Sequence, residues 1–241
     1  MEKIKSRLLI IFLLWSLVAS IFLMFDLDES FITSLGLWKW LEIILLWFVG
    51  WYDFLLIVQA TVLVLMSSVQ KMGRKKAWTS VLIIASGATA LETVGVLTGY
   101  PFGQYHYTEN LKPLVLGVIP WAVPFAWVAV IMGLHLIVCY WMTCEKRWLV
   151  ALAVAFLALL FEILLEPFAT DVCAYWQWYS LDTPPANYVF FFLAVLGLDR
   201  LAPLPVKTSG KADWICETVL AVFYVLILFV LIFTGRLSLG L

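Results

Sequence analysis

Charge is what this chain has least of. Of its 241 residues only 13% are Asp, Glu, Lys or Arg, about half the share in an ordinary soluble domain, and 64% are hydrophobic. No fold of this size has enough interior to hide so much apolar surface from water, which excludes a free-standing soluble domain and makes lipid the expected cover. A net charge of −1 gives no basic face, so nucleic acid and acidic polymers are excluded as partners. Histidine is nearly absent: His106 and His135 stand far apart, without a His-Glu-x-x-His pattern. The four cysteines form no close pair, so the sequence carries no metal-site pattern. Cys139, Cys144 and Cys216 are expected at or near one membrane face and Cys173 alone at the other, a distribution that rules out a disulfide framework. Long Pro/Gly/Ser linkers, fixed-period repeats and low-complexity tracts are also missing, which leaves one membrane-embedded domain over residues 1–241.

What is there is a series of apolar runs. A spanning helix needs roughly 20 mostly apolar residues. Seven segments meet this: about 8–25, 40–67, 78–98, 116–142, 148–168, 185–199 and 214–235. The second is long enough to tilt, to bend near Gly50 or to protrude, and the sixth is short. None alternates polar with apolar residues, so an all-α polytopic bundle is expected rather than a barrel. The first run follows Lys and Arg as a signal peptide would, but it is long and no small-x-small site follows, so it reads as a retained helix. With seven crossings the cations segregate. Lys3, Lys5, Arg7, Lys71, Arg74, Lys75, Lys76, Lys146, Arg147, Arg200, Lys207 and Lys211 share one face, and Lys39, Lys112 and Arg236 share the other. Cytoplasmic loops collect Lys and Arg, which places the N-terminus in the cytoplasm of a cell-membrane protein.

Carboxyl groups inside a span are costly and usually face a bundle interior. Asp53, Glu92, Glu162 and Glu166 are such groups, and the last two, at i and i+4, share a helix face. Counted from the cytoplasmic ends of their helices, Asp53, Glu92 and Glu162 each lie about 21 Å deep if the helices are straight. No Lys or Arg lies mid-span to neutralise them, so they are expected to keep protons and serve as donors. Any one of them is as readily a cross-helix hydrogen bonder; three at one depth favour a site.

Two loops on the outward side are rich in aromatics. One runs Thr98-Gly99-Tyr100-Pro101-Phe102-Gly103-Gln104-Tyr105-His106-Tyr107-Thr108, and the other carries Asp171, Tyr175, Trp176, Trp178 and Tyr179. An ordinary interfacial aromatic belt accounts for Trp38, Trp40, Trp148 and Trp214, and less well for the clustered Gly-Tyr-Pro-Phe-Gly turn. Pro120 and Pro124, with Trp121 and Trp127, fall in the fourth expected span, where proline would bend the helix and open a cavity. His135 reads as a packed hydrogen bonder and His106 as a weak acid/base candidate.

Thr98 to Gly103, then Tyr105, Tyr107, Gly117, Pro120, Pro124 and Trp127, resemble the signature of the membrane-bound carotenoid hydratases, a family that includes the gamma-carotene and bisanhydrobacterioruberin hydratases. A looser block, Glu166-Pro167, Trp176, Trp178, Pro185 and Asn187, is also similar. This chain has Glu where the pattern has Asp before that proline, and lacks the Gly-Trp pair after Asn187. The resemblance, over roughly 85–195, implies addition of water to the terminal double bond of an acyclic carotenoid end, giving a tertiary alcohol. It implies a protonated Glu92 or Glu162 as acid, and Glu166 or Asp171 as the group that handles water, with Asp53 a further candidate. Tyr105, Tyr107, Trp127, Trp176, Trp178 and Asn187 would line the substrate. No cofactor or metal is needed, and the partners are a lipophilic carotenoid, water and membrane lipid. A carotenoid end-group cyclase begins with the same protonation, and a proton-coupled transporter also keeps acids in the membrane; both remain alternatives.

Overall fold

The computed structural model describes residues 2–25, 27–115, 117–142, 146–180, 182–205 and 214–235. Lys207, Lys211, Arg236 and Cys144, which belong to the charge and cysteine patterns above, lie outside these residues. The described chain is a helix bundle. Its elements are α1 (Glu2–Met24), α2 (Glu29–Ser34), α3 (Lys39–Met72), α4 (Arg74–Thr98), β1 (Tyr105–Tyr107), β2 (Leu114–Val115), β3 (Ile119–Pro120), α5 (Ala122–Trp141), α6 (Arg147–Pro167), a π-turn (Phe168–Val172), β4 (Trp176–Trp178), α7 (Pro185–Leu201) and α8 (Trp214–Phe233).

Six of these helices are long and apolar enough to cross a membrane: α1, α3, α4, α5, α6 with its π-turn, and α8. The sixth expected span, α7, has 17 residues and stands at the lower limit for a crossing. The chain is thus an all-α membrane protein, with six long helices and a short one where seven spans were expected. α3 runs 34 residues without interruption through Gly50, about 51 Å, well beyond the roughly 30 Å of a hydrocarbon core. The fourth expected span begins later than the hydrophobicity suggests. Residues Leu114–Val115 pair with Ile119–Pro120 as a small hairpin, and α5 starts at Ala122. Pro120 is therefore outside the helix, and Pro124 lies in its first turn, where a missing N–H breaks no intrahelical bond. Neither proline bends a span.

α5 is the hub. It is buried over most of its length and packs against α3, α4, α6, α7 and α8. The surrounding helices turn apolar side chains outward, as at Leu17, Leu82, Phe156 and Val225. A contiguous apolar exterior around a bundle is what lipid, not water, covers. Trp38, Trp40, Trp141, Trp148 and Trp214 are exposed at helix ends, the position of an interfacial belt. Specific polar contacts tie the helices together. Thr61 Oγ1 donates to the Phe125 carbonyl at 2.9 Å, Trp15 Nε1 to the Tyr52 carbonyl at 2.9 Å, and Tyr224 Oη to the Leu157 carbonyl at 2.8 Å.

The end carrying the α3–α4 turn and the start of α6 is closed by a polar knot. The fully buried His135 of α5 meets the Asp199 carboxylate of α7 through Nδ1 (2.5 Å) and the Pro205 carbonyl through Nε2 (2.6 Å). His135 is thus the packed hydrogen bonder that its position suggested. The Arg147 guanidinium donates to the carbonyls of Asp199, Ala202 and Leu204, which otherwise face the interior at the end of α7. Removing a charged donor from buried carbonyls costs about 1.5–3 kcal/mol. Arg147→Ala is therefore expected to lower thermal stability in detergent by that amount; an unchanged melting temperature would show that the knot contributes nothing.

Candidate active site

At the opposite end the loops fold back over the bundle. α4 stops at Gly99, which adopts φ +73°, a left-handed conformation natural to glycine at a helix C-terminus. The chain then turns through Phe102 and Gly103 into β1. β1 pairs antiparallel with β4, Tyr105 opposite Trp178 and Tyr107 opposite Trp176. In an extended strand alternate side chains share a face. Tyr105 and Tyr107 therefore point the same way, as do Trp176 and Trp178, and all four line one cavity beneath the ribbon.

That cavity has a volume of about 180 Å³. Asp53 of α3, Glu92 of α4, and Glu162 and Glu166 of α6 all line it, together with Trp127, Asn187 and the four ribbon aromatics. The remaining wall is apolar, including Leu56, Phe161, Phe191, Phe223 and Ile227. No lining residue carries a positive charge. The equal depth expected for Asp53, Glu92 and Glu162 agrees with their meeting in one chamber.

Uncharged donors take the place of cations. Glu92 Oε2 accepts from Tyr105 Oη at 2.5 Å and from Tyr107 Oη at 3.0 Å, and its Oε1 accepts from Trp127 Nε1 at 3.1 Å. Glu166 Oε1 accepts from two indoles, Trp176 Nε1 at 2.9 Å and Trp178 Nε1 at 2.7 Å, while its buried Oε2 meets no hydrogen-bond geometry among the described residues. Glu162 Oε1 accepts from Asn187 Nδ2 at 3.1 Å. Its second oxygen carries no hydrogen bond among the described residues. Burial, reinforced by the neighbouring Glu92, holds the Tyr105 and Tyr107 phenols well above their usual range, so both act as O–H donors.

Two positions stand apart from this arrangement. Asp171 is exposed, accepts from the Thr170 hydroxyl, and lines a separate polar chamber. His106 is exposed beside the Tyr179 ring and away from the carboxyls. One residue the sequence reading passed over is Gly95. It lies one helical turn beyond Glu92, and the Phe102 ring and Tyr105 hydroxyl occupy the space a side chain would take. A Cβ there would lie 2.9 Å from Phe102 and 3.0 Å from Tyr105 Oη. The spacing Glu92-x-x-Gly95 was the available signal. Gly95→Ala is expected to cost about 1–3 kcal/mol through overpacking. Adding Tyr105→Phe should recover part of that loss, since the hydroxyl is one of the two clashing groups; a double variant no more stable than Gly95→Ala would refute this packing account.

The sequence profile of a family described as "Carotenoid biosynthesis protein" matches residues 50–240. A curated protein from Haloarcula japonica, bisanhydrobacterioruberin hydratase, is 35% identical over 48 residues. That stretch covers 20% of this chain and 16% of the relative, so the similarity reaches only a small part of the curated protein's length. No solved structure matches the chain.

Proposed function

The chain belongs to the carotenoid biosynthesis protein family, and on that premise we propose that it adds water to the terminal double bond of an acyclic carotenoid end group, giving a tertiary alcohol. The observation that carries this reading is the meeting of four carboxyl groups in one largely apolar cavity that no Lys, Arg or His among the described residues lines. An apolar chamber suits a polyene end, and a carboxylic acid inside it is the reagent that alkene protonation requires. The hydratase relative supports the reaction type through a short stretch only.

The hydrogen bonds divide the roles. Glu92 takes three donors across both oxygens, an arrangement suited to a standing negative charge. Glu162 and Glu166 stand one turn apart, where two like charges repel, so one proton is shared between them. Glu166 is anchored by two indoles, and Glu162, which also lines the cavity, has one oxygen with no hydrogen bond among the described residues. Glu162 is therefore the proton donor. Its O–H bond breaks as the π pair forms a C–H bond at the inner CH carbon of the double bond, and the positive charge develops on the branched terminal carbon. The faces of Trp127, Trp176, Trp178, Tyr105 and Tyr107 stabilise that cation, each by about 2 kcal/mol when desolvated. The Glu92 carboxylate adds direct charge attraction. Water then forms the C–O bond and loses a proton to a carboxylate of the cavity.

The decisive experiment is expression in cells that accumulate acyclic carotenoids. The expected product is heavier by one water, and Glu162→Gln is expected to lower its formation at least a hundredfold, in line with general acid catalysis. Unaltered pigment beside well-inserted protein would sink the reading. The proposal also includes seven crossings of the cell membrane with the N-terminus inside. A cysteine introduced at Lys75 should then react only with reagent supplied from the cytoplasmic side, and one at Gln177 only from the other; the reverse pattern would overturn the orientation.

A further inference from the structure

A second chamber, of about 660 Å³, lies beside the carboxyl cavity at the loop-covered end. Its character is different. The mouth is formed by exposed polar groups, among them Asp28, Glu109, Asn110, Lys112 and Asp171. Three residues line both chambers: Leu23, Asp53 and Tyr175. Asp53 and Tyr175 are the polar members of that shared boundary, and Tyr52 lies beside them on the polar chamber, so the boundary has a polar seam next to the apolar Leu23.

The chain positions Tyr175 with unusual care. After α6 the backbone widens into the π-turn at Phe168–Val172, a form of helix that recurs at functional sites. Ala174 then adopts φ +48°, the left-handed region that is strained for a residue with a Cβ. The opposite loop holds this conformation in place. Thr108 Oγ1 donates to the Ala174 carbonyl at 2.5 Å, Thr108 N to the Tyr175 carbonyl at 2.9 Å, and Asn110 Nδ2 to the Cys173 carbonyl at 3.0 Å. Strain kept by surrounding bonds is a mark of a position that matters. No residue of the β1–β4 ribbon takes part in the seam.

We propose that the polar chamber is the water inlet of the carboxyl cavity, and that Asp53 and Tyr175 form the gate that admits and orients the attacking water. This inference rests on the hydration reading. Tyr175 accepts or donates one hydrogen bond to the incoming water, and Asp53 accepts another. When the water oxygen bonds to the cationic carbon, its surplus proton passes to Asp53 and leaves through the polar chamber. Glu162 recovers its proton from solvent, so the net change is addition of one water. The Glu162 step and the gate are separable: protonation needs Glu162, whereas capture needs a placed water. A cation that meets no water loses a neighbouring proton or is attacked by a double bond of its own chain. Either route gives a product of unchanged mass.

The test compares product partition in vesicles supplied with an acyclic carotenoid. Wild-type protein should form the alcohol. Tyr175→Phe and Asp53→Asn should lower alcohol at least tenfold while an isomerised or cyclic product of unchanged mass appears. Gly50→Trp fills the polar chamber from a site where a Cβ meets nothing within 4 Å, and should shift the partition the same way. Alcohol at the wild-type rate in all three variants, or its loss with no unchanged-mass product, would overturn the gate. Absence of alcohol from the wild type would instead overturn the hydration reading itself. Hydroxyl-radical footprinting gives a readout independent of turnover: Tyr175 should be oxidised in the wild type and protected in Gly50→Trp. Protection of Tyr175 already in the wild type would refute the inlet.

Discussion

Four carboxyl groups share a cavity inside an apolar bundle with no cation beside them, and the rest of the structure is arranged around that constraint. In water each would be solvated; here the solvation must come from the protein. The donors are phenols, indoles and an amide, none of which carries a charge. Four of them sit on the β1–β4 ribbon, two segments about seventy residues apart in sequence. The ribbon does not span the membrane and adds little apolar burial. Its pairing fixes which way two tyrosines and two tryptophans point, and through them the state of Glu92 and Glu166. The loops therefore belong to the site as fully as the helices do.

Much of this was legible in the sequence because helices are regular. Asp53, Glu92 and Glu162 were placed at one depth by counting residues at constant rise, and Glu162 and Glu166 on one face by i,i+4 spacing. Both inferences need only a continuous helix, which α3, α4 and α6 are over the residues concerned. Period-two spacing in Tyr105/Tyr107 and Trp176/Trp178 was also visible, but three-residue strands leave no propensity signal, and nothing local says that the two segments pair. The hairpin before α5 was missed for a related reason: residues 114–120 are apolar, and an apolar run alone does not separate a strand from a helix.

Asp171 is the opposite case. It is near Glu166 in sequence and was an obvious candidate for the same chemistry. Nine residues separate it from Glu162, and nine steps of a helix amount to about half a turn beyond whole turns. It therefore starts on the wrong face, and the π-turn does not bring it back; its side chain meets the polar chamber instead. Asp53, by contrast, sits on both chambers. That distinction depends on how α3 and the turn after α6 are packed, which no single-sequence pattern encodes.

Under the proposed hydration the reaction passes through a cation, and the absence of lysine and arginine from the cavity lining then has a purpose. A fixed positive charge would neutralise the carboxyls, but it would also repel the intermediate they are meant to stabilise. Donors without charge avoid this. They lower the cost of burying the carboxyls without adding positive charge, and the rings that carry them line the same space. Preorganised fields of this kind act most strongly where water is scarce. Scarce water is also a hazard, because an uncaptured cation has other exits. A cavity built to form the cation must therefore exclude bulk water while admitting a single placed molecule. An apolar chamber that shares Asp53 and Tyr175 with a polar one suits both demands under the proposed gate, whereas an open polar cleft would satisfy only the second.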